Sequence, residues 1–238
     1  MKYPIKSLLA CSVIGAAINL NAQTVTVDPS TLTLGYMNVF NVGGPGLGAA
    51  GEGANQFGST WGVADLTSSF AGSTLTLGPN QIGDPNNYWY TPTGQAGAVG
   101  NKIMDANLYN ESTGVYTGQT LTFSGDVLSS TLLNVGNVNA IGNGWTSIAF
   151  IKDFAPDYSS SVVSSTPIVN GVFNISLATI NDPTRHIQYG FETIGPDVWA
   201  TDVGLFGTIV VSPVPEPMTL SLAGLGGAAA LALLRRRK

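Results

Sequence analysis

Apolar and polar residues alternate along much of the chain interior, with the period of two that is expected of half-buried β-strands. The alternation is clearest in seven segments, at residues 31–42, 73–77, 120–127, 146–151, 172–177, 186–193 and 204–211. Turn-forming sequences such as GDPN at 83–86 and NDP at 181–183 separate these segments. Since no interior segment shows a capped helical period, the pattern predicts an all-β domain at 23–211, a β-sandwich or jelly roll of seven to ten strands.

A longer apolar run opens the chain. Residues 1–22 contain two lysines, then an apolar stretch and a small residue at Ala22. These are the three parts of a secretory signal peptide, and cleavage is expected after Ala22. A lipoprotein box at 8–11 is an alternative, although the four residues between Lys6 and Cys11 leave almost no apolar region before it. A buried N-terminal helix is a second alternative.

A second apolar run lies near the other end, at residues 218–234, where seventeen positions carry no charge. As a helix it extends about 26 Å, slightly less than a hydrocarbon core of about 30 Å. Four basic residues follow it: Arg235, Arg236, Arg237 and Lys238. Because such a cluster crosses a bilayer with difficulty, we expect a transmembrane helix with a basic cytoplasmic tail at 235–238 and the β domain outside. The prolines of residues 212–217 predict an extended linker before the helix.

The residues at this junction carry a specific resemblance. Val214-Pro215-Glu216-Pro217, followed by a span rich in Gly, Ala and Leu and by a terminal Arg cluster, resembles the PEP-CTERM sorting signal. The resemblance implies that an exosortase, a membrane transpeptidase, recognises Pro215, Glu216 and Pro217 while the chain is in the inner membrane, before delivery to the cell envelope or outside. It covers about the last 25 residues, and it departs from the family at Met218, where Ser or Thr is usual. A simple tail anchor explains the span and the arginines but not the Pro-Glu-Pro.

The second half of the interior carries a looser resemblance. Residues 144–154, 190–192 and 195–199 (GWTSIAFIKDF, GFE and GPDVW) are similar to the uncharacterised jelly-roll domains that are common among sorted proteins of this type. Those domains resemble carbohydrate-binding modules in outline. The resemblance implies a fold and assigns no functional residue.

Charge narrows the class of partner. Between residues 23 and 213 there are three basic and thirteen acidic residues, a net charge of −10. Phosphate binding needs clustered Lys and Arg, so this surface excludes nucleic acid as a partner. Polysaccharide of an extracellular matrix is compatible with it.

Residues suited to catalysis are few. His186 is the one histidine, and Cys11, the one cysteine, lies in the segment that is expected to be removed. A Ser-His-Asp triad needs His186, whose neighbours predict a strand, and the chain has no G-x-S-x-G motif. The nearest candidates for a pair of glycosidase carboxylates are Glu192, Asp153 and Asp157. Solvated turn residues are the better interpretation, so we predict no catalytic residue.

The sequence contains only weak signals for a metal site. Calcium could be bound by oxygen ligands in three groups: Asp84 with Asn86 and Asn87, Asp153 with Asp157, or Asp197 with Asp202. None of these has the spacing of a calcium loop, and Asp and Asn also favour turns for their own hydrogen bonding.

Aromatic residues suggest a sugar-binding surface. On one short strand, Tyr88 and Tyr90 would share a face opposite Trp89. If that face is exposed, the two tyrosines form a platform for a sugar ring. The alternative is that all three pack in the core, as we expect for Trp61, Trp145 and Trp199.

These patterns favour a non-enzymatic structural or binding protein that is exported to the cell surface. A polysaccharide-active enzyme on a jelly-roll scaffold is the alternative. Self-assembly through sheet edges is a third hypothesis, based on the low charge and the threonine- and valine-rich strands.

Overall fold

The computed structural model describes residues 22–43, 52–133 and 144–214. The sorting motif Pro215, Glu216 and Pro217, the apolar span 218–234 and the basic tail 235–238 therefore lie outside the described residues, as does the predicted signal peptide apart from Ala22. Within the described part of the chain, no helix is long and apolar enough to cross a bilayer.

The described residues form strands joined by loops and two short 3-10 turns. The strands are β1 (Ala22–Thr26), β2 (Leu34–Val42), β3 (Glu52–Thr60), β4 (Ser68–Ala71), β5 (Thr74–Leu77), β6 (Tyr90–Thr91), β7 (Val99–Gly100), β8 (Lys102–Thr113), β9 (Thr120–Ser130), β10 (Thr146–Phe154), β11 (Ser161–Pro167), β12 (Gly171–Ala178), β13 (His186–Pro196) and β14 (Ile209–Ser212). The prediction of an all-β fold is confirmed.

Twelve of the strands form two six-stranded sheets. In sheet I, β9 pairs along one edge with β12. Its other edge is shared end to end by β1, which is parallel, and β14, which is antiparallel. The sheet then continues through β5 to β4.

Sheet II is antiparallel throughout, in the order β11-β10-β13-β8-β2-β3. Its long central strands, β8 and β13, are paired over eleven consecutive residue pairs. Such a continuous ladder gives a rigid platform for side chains on its outer face.

The inner faces of the two sheets meet in an aromatic core. The ring of Phe123 in sheet I lies 5.3 Å from the rings of both Tyr189 and Phe191 in sheet II. Phe173 of sheet I lies 5.9 Å from Phe191. These contacts across the layers make the fold a sandwich, because each sheet covers the apolar face of the other.

The seven segments predicted to be strands all contain strand structure, with one notable difference in extent. The last segment, 204–211, begins as a 3-10 turn (Val203–Phe206) and becomes strand only at Ile209. The structure adds strands that the pattern did not indicate, among them β3, β8 and β11. The predicted number of seven to ten strands is therefore too low.

Candidate functional site

The outer face of sheet II carries an open groove of about 680 Å³. Its aromatic lining comes from Tyr36, Tyr109, Phe154 and Tyr158. Its polar lining comes from Asn38, Thr60, Asn107, Glu111, Lys152 and Gln188. The strand period of two explains the arrangement, because Met104, Ala106 and Leu108 of β8 enter the core while the residues between them face outward.

Asp105 fixes the side chains at one end of the groove. Its two carboxylate oxygens accept hydrogen bonds from Asn38 Nδ2 at 2.9 Å and from Asn107 Nδ2 at 2.7 Å. These bonds determine the orientation of both amides. Burial, with a contribution from the nearby charge of Glu192, raises the pKa of Asp105 to about 6, although both amides and Lys152 favour the ionised form.

The positive charge of Lys152 is balanced by an ion pair within the groove. Its Nζ lies 2.6 Å from Glu192 Oε2 and 3.0 Å from Asn107 Oδ1. The same ammonium lies 4.1 Å from the centroid of the Phe150 ring. Both members of the ion pair are largely buried, with 18% and 14% of their side chains exposed. Lys152 on β10 therefore links Glu192 on β13 with the amide of Asn107 on β8 instead of projecting into solvent.

Glu111 joins the floor of the groove to its wall. It accepts a hydrogen bond from Gln188 Nε2 at 2.6 Å and one from the Tyr158 hydroxyl at 2.9 Å. Burial, and secondly the bond to Glu111, raises the pKa of Tyr158 to about 12. The tyrosine hydroxyl is thus held in its protonated, donating form.

The backbone at Tyr158 is strained. Its φ of 58° lies in the left-handed region that residues other than glycine rarely adopt. The turn is closed by Ala155 N donating to Ser160 O at 2.8 Å, and the Tyr158 ring stacks on His186 with centroids 4.5 Å apart. The ring nevertheless remains 49% exposed. Strain that holds an exposed aromatic ring at the rim of a groove is typical of functional sites.

Comparison with known proteins gives no match. The chain matches no protein-family model, no curated protein and no solved structure.

The predicted tyrosine platform is wrong in its geometry. Residues 87–89 form a turn, and only Tyr90 enters a strand. Tyr90 is 0% exposed, and its hydroxyl bonds to the backbone of Ile82 and Val198. Trp89 is also buried, with the Tyr88 ring at its edge 4.7 Å away. Tyr88 alone is exposed, at 39%, so no two-ring surface exists at this turn.

The other tryptophans follow the core alternative. Trp145 is fully buried, and its Nε1 donates to Pro196 O at 3.0 Å. Trp61 and Trp199 are partly buried and pack against the core.

The structure separates the carboxylates that were considered for catalysis. Asp153 faces the interior, where it is 0% exposed and forms an ion pair with Arg185. Glu192 lies on the opposite, outer face of the sheet, beside Lys152. Asp157 is in the exposed turn and accepts from Ser159. These three carboxylates therefore do not converge on one substrate position.

His186 has no carboxylate among its hydrogen-bond partners in the described chain. Its Nδ1 lies 2.8 Å from Thr113 Oγ1, and its Nε2 lies 3.3 Å from Pro156 O. The ring supports Tyr158 by stacking.

In two of the three candidate calcium-binding groups, the oxygen ligands already accept hydrogen bonds from nearby residues of the protein. Asp84 accepts from the backbone and the amide of Asn86, and Asn86 in turn accepts from Tyr88 N. Asp153 is bound by Arg185 and by Ile180 N. Among the residues that the structure describes, no group of three or more His, Cys, Asp or Glu residues could hold a metal ion.

The third calcium group is brought together. Asp197 and Asp202 both line a small pocket of about 140 Å³. Asp202 accepts from Gly97 N and Thr201, and Asp197 Oδ1 accepts from Lys102 N at 3.0 Å. Asp197 Oδ2 is buried without a hydrogen-bond partner in the described chain. Burial raises the pKa of Asp197 to about 7, because low-dielectric surroundings disfavour the charged form.

The groove residues were missed because they come from five separate parts of the sequence. A usable signal was present in β8, where Met104, Ala106 and Leu108 alternate with polar residues. The polar positions of that alternation, Asp105 and Asn107, form the hydrogen-bonded end of the groove.

Proposed function

We propose that this chain is an exported, exosortase-sorted protein of the cell envelope or the extracellular matrix, whose β-sandwich binds polysaccharide through the groove without catalysis. The observation that carries the binding proposal is the combination of aromatic walls and oriented polar side chains on the outer face of sheet II. The sorting part rests on the two ends of the sequence.

A sugar ring suits this arrangement because it has an apolar face of C–H groups and a rim of hydroxyls. Tyrosine offers the matching combination of an apolar ring and a polar tip. Tyr36 on β2 and Tyr158 in the loop after β10 line the groove together with the amides of Asn38 and Asn107, which Asp105 holds in place. Pockets of about 300 to 1,000 Å³ with a few convergent polar groups are the usual size for small ligands, and the groove lies within that range.

The carboxylates of the groove support binding over catalysis. Glu192 is paired with Lys152, Glu111 is bound by Tyr158 and Gln188, and Asp105 is bound by two amides. Each has a positioning role that is satisfied within the protein.

A polysaccharide-active enzyme is the second candidate. It is favoured by the raised pKa of Asp105, about 6, beside the carboxylate of Glu192. A carboxyl group whose pKa is raised by burial and by a neighbouring carboxylate is a pattern of general acids. Incubation of the purified protein with a panel of polysaccharides distinguishes the two functions, since retention without released reducing sugar is expected for a binding protein.

The sorting proposal is tested by replacing Pro215, Glu216 and Pro217 with alanine in the full chain. The expected result is an uncleaved protein that accumulates in the inner membrane, because the apolar span and basic tail remain while the recognition motif is lost. Fractionation and mass spectrometry of the C-terminus measure it. Unchanged processing would exclude an exosortase-type signal.

The binding proposal is tested by the variants Tyr158→Ala and Tyr88→Ala. Both remove an exposed tyrosine ring, but only Tyr158 belongs to the groove. Loss of a central aromatic contact weakens binding by about tenfold or more, so affinity electrophoresis should show reduced retardation for Tyr158→Ala alone. Equal retardation of both variants and the wild type would show that the polysaccharide does not bind in the groove.

A further inference from the structure

We infer that the groove selects glycans built from uncharged sugars and excludes polymers of uronic acids or sulfated sugars. The inference rests on the proposed function and adds the class of ligand. It follows from the inventory of charges at the groove and from the partners that each charge already has.

Negative charge predominates at the groove. Glu111 lines it, and the carboxylates of Asp105 and Glu192 are bonded to the lining residues Asn107 and Lys152. Lys152 is the one cation among the described residues that line it. A ligand carboxylate or sulfate would therefore approach an excess of like charge, which weakens its binding.

The single cation is engaged by the protein itself. Lys152 Nζ is within 3.0 Å of both Glu192 and Asn107, and it lies over the Phe150 ring. Pairing with a ligand anion would require breaking the bond to Glu192 and leaving that carboxylate without its cation. No guanidinium lines the groove in the described chain to replace it as a bidentate partner of carboxylate or sulfate.

Neutral polar groups are instead presented to the ligand. Gln188 and Asn38 each donate their amide nitrogen to a carboxylate, so their carbonyl oxygens are oriented away from it. Asn38 Oδ1 and the Tyr36 hydroxyl lie together beside Gly58, where both are 2.7 Å from the position that a Cβ would occupy. Such groups exchange hydrogen bonds with sugar hydroxyls, which both donate and accept.

The long-range field acts in the same direction. Residues 23–213 carry a net charge of −10, which repels an anionic polymer before contact. This part of the discrimination should weaken as salt is added, because exposed charges are screened over about 8 Å at physiological ionic strength.

The test is affinity electrophoresis of the full chain, purified in a neutral detergent, through gels containing a β-glucan, a galactomannan, polygalacturonate or alginate. Retardation by a neutral polymer and none by either polyuronate at low salt is expected. Retardation by a polyuronate equal to that by the neutral polymers would overturn the inference and leave polysaccharide binding intact. No retardation by any polymer, with a folded protein by circular dichroism, would overturn the proposed function and the inference with it.

A matched pair of variants tests the part played by Lys152. Glu192→Gln releases Lys152 from its ion pair, whereas Glu111→Gln removes the same charge without releasing a cation. We expect Glu192→Gln to bind polygalacturonate about twofold to fivefold more tightly than Glu111→Gln at low salt, the range expected for an ion pair between the released Lys152 and a ligand carboxylate in the open groove. Equal affinity of the two variants would overturn the assignment of the ion pair as a selective element.

Discussion

The segment 88–90, a turn that leads into β6, and the groove on sheet II use the same kinds of side chain for different purposes. In the turn, three aromatic residues adjacent in sequence point in different directions, and Tyr90 and Trp89 are buried. In the groove, Tyr36, Tyr109 and Tyr158 are distant in sequence but line one surface. Adjacent aromatics here stabilise a loop against the core, whereas the aromatic lining of the groove is assembled across strands.

The largest effect that separates the two regions is expected for Tyr90→Ala. The ring is fully buried, and its hydroxyl bonds to Ile82 N at 2.9 Å and Ile82 O at 2.8 Å. Truncation of a buried aromatic side chain lowers the free energy of unfolding by about 3 to 5 kcal/mol. Chemical denaturation of the full chain in detergent, followed by tryptophan fluorescence, measures the loss.

Tyr90→Phe is the control for this variant, because it keeps the ring and removes only the hydroxyl. It should cost about 1 to 3 kcal/mol, since Ile82 N loses its buried partner. A normal unfolding free energy for Tyr90→Ala combined with lost polysaccharide binding would assign the turn to the binding site.

A smaller effect, on affinity alone, is expected from a single methyl group. At Gly58 an added Cβ would lie 2.7 Å from Asn38 Oδ1 and from the Tyr36 hydroxyl, whereas at Gly83, beside the turn, nothing lies within 4 Å. Displacing two groups that hold a ligand weakens binding, by about tenfold if two hydrogen bonds are lost. Gly58→Ala should therefore reduce retention on a neutral polysaccharide, and Gly83→Ala should match the wild type. A loss with Gly83→Ala instead would favour the turn.

The smallest expected effect is a dependence on pH through Asp105. Its pKa is raised to about 6 from an ordinary value near 3.8. The folded state therefore binds the proton more tightly than the unfolded state, and the stability contributed by this group is complete below the ordinary pKa and is lost as pH rises through about 6.

Affinity should change in the opposite direction, because only ionised Asp105 accepts from Asn38 and Asn107 together. We expect binding to strengthen by about twofold to threefold between pH 5 and 7, the value of one modest hydrogen bond. Isothermal titration with a neutral oligosaccharide measures it, with Tyr88→Ala as the variant that keeps the dependence. An affinity that does not vary with pH would show that the ionisation of Asp105 does not control the orientation of the two amides.

The sequence predicted the layers of the fold well, for a physical reason. Strands such as β13 bury one face, so Ile187, Tyr189 and Phe191 alternate with Gln188 and Gly190 and show the period directly. The hydrophobic pattern did not indicate strand β3, because it is an exposed edge strand with two glycines and few apolar residues. Pairing with β2 determines its conformation, and a local pattern does not contain that information.

The groove was not predictable in the same way. The pairs Asn38–Asp105 and Gln188–Glu111 are 67 and 77 residues apart in the chain and meet only through strand register. Tyr158 follows the turn-forming residues Pro156 and Asp157, but nothing in the sequence indicates the left-handed backbone of the tyrosine itself. The tyrosines at 88 and 90 were conspicuous because they are close in sequence, and that closeness was misleading.

The most direct test is a crystal structure of the protein with a neutral oligosaccharide bound. We predict density for a sugar ring in the groove, against the ring of Tyr36 or Tyr158 and within hydrogen-bond distance of Asn38 or Gln188. Density at the turn beside Tyr88, with an empty groove, would contradict the assignment of the binding surface.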